Sequence, residues 1–151
     1  MLGSNESVGT AKVDAARGAL RAVNPELEVV TLEQRLEAKH ISELVSDADV
    51  VLDCSDNFAT RHALNRACVA QRKPLVSGAA IRFDTQLMVS DLRKPVAPCS
   101  ACLFLEDGEV EEVQCSQMGV FAPLTGVVAA RCEERGVADR AGCEGSGRRG
   151  M

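Results

Sequence analysis

The sequence predicts an α/β fold: a partial Rossmann-like doubly wound sheet in three layers, with antiparallel strands in its second half. Three observations point there. Helix-period and strand-like segments alternate over residues 9–77, which is how βαβ units read in a sequence. The strand candidates are short, β-branched and uncharged, as strands covered on both faces are. Aromatics are scarce, with four Phe and neither Trp nor Tyr, so the core must be built from Val, Leu, Ile and Ala, as in a parallel-sheet protein.

Each element has its own signal. Residues 9–23 place Val13, Ala16, Leu20 and Val23 at helical spacing. Asn24-Pro25 ends that helix, because the residue before proline avoids the α region. Residues 27–32 read as a short strand centred on Glu28-Val29-Val30-Thr31. Ile41, Leu44 and Val45 mark a short helix, and residues 50–54 the next strand. Residues 58–71 form a helix with Phe58, Leu64, Ala67 and Cys68 on one face. Pro74-Leu75-Val76-Ser77 is another buried strand, opened by a proline at a tolerated position. After Gly78 the pattern changes. Residues 83–90 are a longer strand with Phe83, Thr85, Leu87 and Val89 on one side. Residues 91–114 are loop-rich and hold Pro95, Pro98 and the pair Cys99-x-x-Cys102. Residues 118–130 are apolar and read as a helix that starts near Ala122.

The last 21 residues differ, with five Arg, five Gly and no Leu, Ile or Phe. Such a segment buries too little surface to offset its ordering entropy and is expected to be disordered. Its Gly145-x-Gly147-x-x-Gly150 matches the dinucleotide fingerprint by letter. No strand precedes it and only Met151 follows, so no helix can receive a phosphate. The chain thus divides into a disordered start at 1–7, an α/β domain over 8–130 and a disordered Arg/Gly tail over 131–151.

Bulk properties exclude several classes. A chain of 151 residues forms one domain that buries about two-thirds of its unfolded surface. A net charge of −5 is not that of a nucleic-acid binder, which shows a basic face. The sequence has no run of 18 apolar residues, so nothing reads as a membrane span. The polar start lacks a signal-peptide stretch, and the expected compartment is cytoplasmic. Seven cysteines, an odd count, then read as thiols or metal ligands rather than disulfides. Cys54 and Cys68 read as small buried apolar residues.

The candidate site lies at Asp53-Cys54-Ser55-Asp56-Asn57, directly after Val50-Val51-Leu52. In open α/β sheets ligands bind beyond the carboxyl ends of the strands. Two acidic side chains there suit a metal ion or the cation that travels with a phosphate. They suit equally a helix cap from Asp56 or Asn57 and a satisfied strand-end carboxylate at Asp53. Lys12, a cation at a helix start, opposes the helix dipole unless an anion sits nearby, or is simply solvated. Cys99 and Cys102 are half of a zinc site, a redox pair or inert thiols. Cys115, between Gln114 and Ser116 ahead of an apolar helix, is a candidate nucleophile or an ordinary thiol.

Several strings appear in a familiar order: Gly9-Thr10-Ala11-Lys12-Val13, Asn24-Pro25, Val51-Leu52-Asp53-Cys54-Ser55-Asp56-Asn57-x-x-x-Arg61 and Pro74-Leu75-Val76-Ser77-Gly78-Ala79-Ala80. The Cys99/Cys102 pair and Met118-Gly119-Val120-x-Ala122-Pro123-Leu124-x-Gly126-Val127 follow. Together, over residues 8–130, they resemble the ThiF/MoeB adenylyltransferases, relatives of the ubiquitin-activating enzymes. The resemblance implies ATP-dependent activation of the C-terminal glycine of a ubiquitin-like sulfur carrier protein, for molybdopterin or thiamine biosynthesis. It implies that Asp56 holds Mg2+ and helps orient the triphosphate, with Asn57 beside it and Lys12 neutralising phosphate charge. It makes Cys99 and Cys102 two of four Zn2+ ligands, and aligns Cys115 with a cysteine of sulfur transfer. It also implies a homodimer in the intact parent.

The departures from that pattern set further expectations. The family's opening strand and glycine-rich ATP loop, and its second cysteine pair, are not found in these residues. The chain therefore reads as a truncated copy whose tail looks like an out-of-frame translation of GC-rich DNA. A missing first βαβ unit would bare a strand edge and apolar faces, giving marginal stability. Three functions compete: the adenylyltransferase, a catalytically dead module that binds a sulfur carrier or a homologous subunit, and a cysteine-based sulfur relay or redox protein.

Overall fold

The computed structural model describes residues 8–94, 97–103 and 121–140. The chain divides into two compact units, Met1–Leu36 and Glu37–Met151. In the first, helix α1 (Lys12–Val23) ends at Asn24, whose backbone is extended and whose N–H bonds Leu20 O. Asn24 Oδ1 then accepts the Glu26 N–H at 3.1 Å, an Asx turn that leads the chain away from the helix. Arg17 pairs with Asp14 at 2.9 Å and reaches Thr31 Oγ1 at 3.4 Å. The strand expected over 27–32 does not form. A strand exists through its ladder, and β-branched composition alone supplies no partner. Among the described residues none pairs with this segment.

The second unit contains helix α2 (Ala38–Asp47), strand β1 (Val51–Asp53), helix α3 (Phe58–Gln71), strands β2 (Leu75–Ile81) and β3 (Asp84–Ser90), the short helix α4 (Ser100–Leu103) and helix α5 (Ala122–Arg140). The sheet order is β1-β2-β3. β1 and β2 run parallel, with Val51 opposite Leu75 and Asp53 opposite Ser77. β2 and β3 are antiparallel, from Leu75 opposite Ser90 to Ile81 opposite Asp84. This is the expected parallel pair followed by an antiparallel strand.

Neighbouring residues on β2 point to opposite faces, as the pleat requires, and each finds a helical layer. Leu75 packs with Ile41, Val45, Ala67 and Cys68 from α2 and α3. Val76 packs with Val128 and Cys132 from α5. Helices therefore cover both faces, and the unit has three layers. β2 runs past the predicted end at Ser77 because the small residues Gly78-Ala79-Ala80 pair with Leu87, Gln86 and Thr85 of β3. Phe83, expected within a strand, sits instead in the two-residue turn before Asp84. Arg82 in that turn has φ 53, a left-handed conformation costing a non-glycine residue about 1–2 kcal/mol. The Phe121 N–H donates to Arg82 O at 2.9 Å and the two phenyl rings lie 5.5 Å apart, which hold the turn in place.

α5 corrects the expected boundary at 130. The helix continues through Arg140, and Cys132 on the supposed tail is 1% exposed. Two glycines bring helix and sheet together. A Cβ on Gly78 of β2 would lie 2.6 Å from Cys132 Sγ and 2.8 Å from Val128 Cγ1. A Cβ on Gly136 of α5 would lie 2.9 Å from Leu52 Cδ2. Composition weighs large apolar side chains, whereas this helix packs through Gly, Val and Cys at close range. The expected disordered start at 1–7 and residues 141–151 lie outside the described residues.

Burial pushes the Cys68 thiol up to about 11 from 9.0, helped by the nearby Asp53 carboxylate. Burial likewise raises Cys132 to about 11, reinforced by the Cys54 thiol. A thiol with a raised folded-state pKa stabilises the fold below the unfolded value and loses that contribution as pH rises through the folded value. Stability measured by urea titration is therefore expected to hold near neutrality and decline between pH 9.0 and about 11. Cys68→Ala should make that decline shallower, and an unchanged slope would contradict the assignment. Gly78→Ala should lower stability by about 1–3 kcal/mol through overpacking. Adding Cys132→Ala should recover part of that loss, because the two sites touch; strictly additive losses would refute the contact.

Candidate functional site

β1 ends at Asp53, and the loop between β1 and α3 is organised by that carboxylate. Asp53 is 2% exposed, and a buried carboxylate is costly unless donors surround it. Its Oδ1 accepts the Ser55 N–H at 2.9 Å and the Ser55 hydroxyl at 2.6 Å. Its Oδ2 accepts the Ser77 hydroxyl at 2.8 Å from the facing register position on β2. Asp53 is thus the satisfied strand-end carboxylate, one of the two readings its sequence position allowed.

Arg61, one turn into α3, meets the same network. Its Nε and Nη2 donate to Ser55 O at 3.1 and 2.5 Å, and Nη2 also to Gly78 O at 3.0 Å. Its Nη1 donates to Ser77 Oγ at 3.3 Å. The Ser77 hydroxyl therefore stands between cation and carboxylate, accepting from Arg61 and donating to Asp53. The guanidinium is clamped by neutral oxygens of the β1–α3 loop and β2, and it has no direct carboxylate partner among the described residues.

Asn57 caps α3: its Oδ1 accepts the Thr60 N–H at 2.8 Å. This decides between the two capping candidates, and it leaves Asp56 without that duty. Asp56 is exposed and its carboxylate has no hydrogen-bond partner among the described residues. Asp56, Asn57, Phe58 and Arg61 line a cavity of about 340 Å³ with Ser77, Gln86, Met88 and Ser100. Val128 and Ala129 of α5 close its apolar side. A free carboxylate, a fixed guanidinium and the small-residue edge of β2 thus share one concave space at the carboxyl end of a parallel strand.

The Cys99 and Cys102 sulfurs lie 3.6 Å apart. Two thiolates on one tetrahedral zinc, at about 2.3 Å each, would be separated by about 3.8 Å. The pair therefore fits zinc as two of four ligands. No cluster of three or more His, Cys, Asp or Glu side chains is found among the described residues. Burial pushes the Cys99 thiol up, and hydrogen bonds from Cys102, Asn65 and the Ala101 backbone outweigh it, holding the thiol below its usual value. The pair is tied to α3 by buried Asn65, whose Oδ1 accepts the Ser100 N–H at 2.9 Å.

Of the other predicted site residues, Lys12 opens α1 in the first unit, and Cys115 lies outside the described residues. Asp56 and Asn57 come together in the cavity, while Cys99 and Cys102 pair beside Ser100 on its wall. Two residues do not stand out one by one in the sequence: Arg61, present only inside a matching string, and Asn65. A signal for them exists, because Arg61, Asn65 and Cys68 succeed one another at helical spacing, which places polar groups on the inward stripe of α3.

Residues 1–134 match the ThiF family. The chain is 40% identical over 129 residues to the molybdopterin-synthase adenylyltransferase of Escherichia coli strain K12, covering 85% of this chain and 51% of that protein. It is 38% identical to the sulfur carrier protein ThiS adenylyltransferase of the same organism, covering 85% of this chain and 50% of that one. It spans about half the length of these relatives. Among solved structures, MccB of E. coli with ATP superposes with a TM-score of 0.70 at 20% identity, covering 95% of this chain and 44% of that one. That likeness shows a shared fold.

The network makes a ranked prediction in urea titrations. Asn57→Ala should cost about 1 kcal/mol, the loss of one cap. Ser77→Ala should cost about 1–3 kcal/mol, because it strips a donor from buried Asp53. Asp56→Asn should cost least, a few tenths of a kcal/mol for an exposed charge at a helix start. Equal losses at Asp56 and Ser77 would overturn the division between a structural and a free carboxylate.

Proposed function

The chain belongs to the ThiF family, and on that premise we propose that it carries the pocket side of an ATP-dependent adenylyltransferase, acting on the C-terminal glycine of a ubiquitin-like sulfur carrier protein. The observation that carries this reading is the free Asp56 carboxylate in one cavity with the Arg61 guanidinium. The two similar E. coli proteins are adenylyltransferases named for molybdopterin synthase and for ThiS, which supports a carrier of molybdopterin or thiamine biosynthesis as the substrate.

In the proposed reaction a carboxylate oxygen of the carrier's terminal glycine attacks the α-phosphorus of ATP. The bond from that phosphorus to the bridging oxygen breaks, pyrophosphate leaves with the electron pair, and an acyl-adenylate remains. Asp56 would hold Mg2+, and a single carboxylate suits a cation that takes its other ligands from phosphate and water. Bound there, the cation would offset charge on the phosphate oxygens. Arg61, already clamped to Ser55 O and Gly78 O, supplies positive potential without reorganising, the property that makes electrostatic stabilisation effective. Asn57 holds the start of α3, and so the position of Asp56, through its cap. Cys115 would take part in later sulfur transfer. Cys99 and Cys102 would hold Zn2+ as part of a structural site. The five described cysteines are free thiols, which supports a reducing, cytoplasmic setting. No helix among the described residues is long and apolar enough to cross a membrane.

Exchange of labelled pyrophosphate into ATP, with a carrier ending in Gly-Gly, tests the proposal. Exchange that Asp56→Asn lowers by about a hundredfold or more, with the fold intact, is the expected result. Because the chain spans about half of its relatives, a second reading is carried into the same assay. Carrier binding without exchange would leave a binding module, and absence of both would overturn the adenylyltransferase and the module together.

A further inference from the structure

Asn65 is an asparagine inside a helix, 2% exposed, and nothing in the cavity chemistry uses it. A buried amide is retained at a cost unless both of its ends are satisfied. One end is unambiguous: a backbone N–H can only donate, so the atom facing Ser100 N at 2.9 Å must be the oxygen. The amide nitrogen is then the end that meets the Cys99 sulfur, with which Asn65 shares a side-chain hydrogen bond. One side chain thus grips both the backbone and the sulfur at the start of the cysteine turn.

That turn cannot hold itself. α4 has four residues, far below the length at which a helix is stable alone. Across it the Cys102 N–H donates to Cys99 O at 3.0 Å. Yet the sulfurs stand 3.6 Å apart, close to the separation a tetrahedral thiolate site requires. The sulfurs share a hydrogen bond at that spacing, and α3 adds an anchor from outside the turn through Asn65.

We propose that Asn65 is a positioning residue, which presets the Cys99 and Cys102 sulfurs for a thiophilic divalent cation by fixing Ser100 N and Cys99 Sγ to α3. The proposal rests on the reading of Cys99 and Cys102 as metal ligands. Outer-shell partners of this kind change metal affinity by about 10–100-fold when removed. Because Ser100 also lines the cavity, the same contact ties the cysteine turn to the wall of the pocket.

Cobalt(II) titration of the reduced chain, followed by the sulfur-to-cobalt charge-transfer band, is the test, with the Cys99→Ala/Cys102→Ala chain as baseline. Asn65→Ala should weaken cobalt binding by about tenfold or more while the metal-free chain still unfolds cooperatively in urea. Ser100→Pro is the second variant: proline is tolerated at the first helical position and removes the N–H that Asn65 accepts, together with the serine hydroxyl. It should weaken binding too, by no more than Asn65→Ala, and the double variant should be little worse than Asn65→Ala alone, which already lacks the bond to Ser100 N. If Asn65→Ala does not fold, Ser100→Pro decides the matter alone. Folded variants that bind cobalt as tightly as the parent overturn the role of Asn65 and leave the metal pair standing. A parent chain whose band does not exceed the baseline overturns the metal pair, and the positioning role with it.

Discussion

The second unit is organised around one buried charge. Asp53 ends a strand of three residues, too short to define the edge of a site by its ladder alone. Its carboxylate draws three donors, and hydrogen bonds to a charged group are worth about 1.5–3 kcal/mol each. Desolvating the charge costs several kcal/mol, so the bonds stabilise the arrangement only while all three are made. That requirement locks Ser77 opposite Asp53, turns the chain back at Ser55, and leaves Ser55 O facing Arg61. The Ser55, Arg61 and Ser77 wall of the cavity depends on where this carboxylate sits.

A division of labour results between two acids three residues apart. Asp53 is inside and fully bonded; Asp56 is outside and makes no bond among the described residues. With Asn57 taking the cap, α3 can begin without drawing on the Asp56 carboxylate. The cap lets an acid stand free at a helix start, where the helix dipole favours negative charge. That charge and the Arg61 cation can then act on a ligand with opposite sign in one space. The Asp53 network is thus the condition for the Asp56 site, though the two acids share no hydrogen bond.

The sequence made the middle of this architecture legible and the ends less so. The start of α3 is readable because the sequence offers a cap there; its end is closed by Arg72 in a left-handed conformation, for which arginine carries no sequence signal. β2 is readable because a buried parallel strand is a run of apolar residues; β1 carries the same kind of run, although its Leu52 is 45% exposed. The strand expected at 27–32 failed because β propensity is local, while pairing depends on a partner that composition does not name. The end of α5 was missed for the opposite reason: its packing uses Gly78 and Gly136, and glycine ranks by propensity as a helix breaker. At the site, Asp56 and the cysteine pair stood out by type and spacing. Arg61 and Asn65 did not, since their importance lies in which backbone groups they meet across the fold.

α3 is the element that joins the pocket to the cysteine pair. Its first turn carries the cap beside Asp56, its second the Arg61 clamp, and its third Asn65 and, just beyond, buried Cys68. Successive turns of one helix thereby address the Asp56 end of the cavity, the sheet, the cysteine turn and the apolar layer. Four residues of helix rise about 6 Å, so Arg61 and Asn65 hold their separate targets at a spacing set by the backbone. A helix transmits such a spacing without relying on loop conformation. The pocket and the cysteine pair can therefore keep their registration even though α4, between them, is only four residues long.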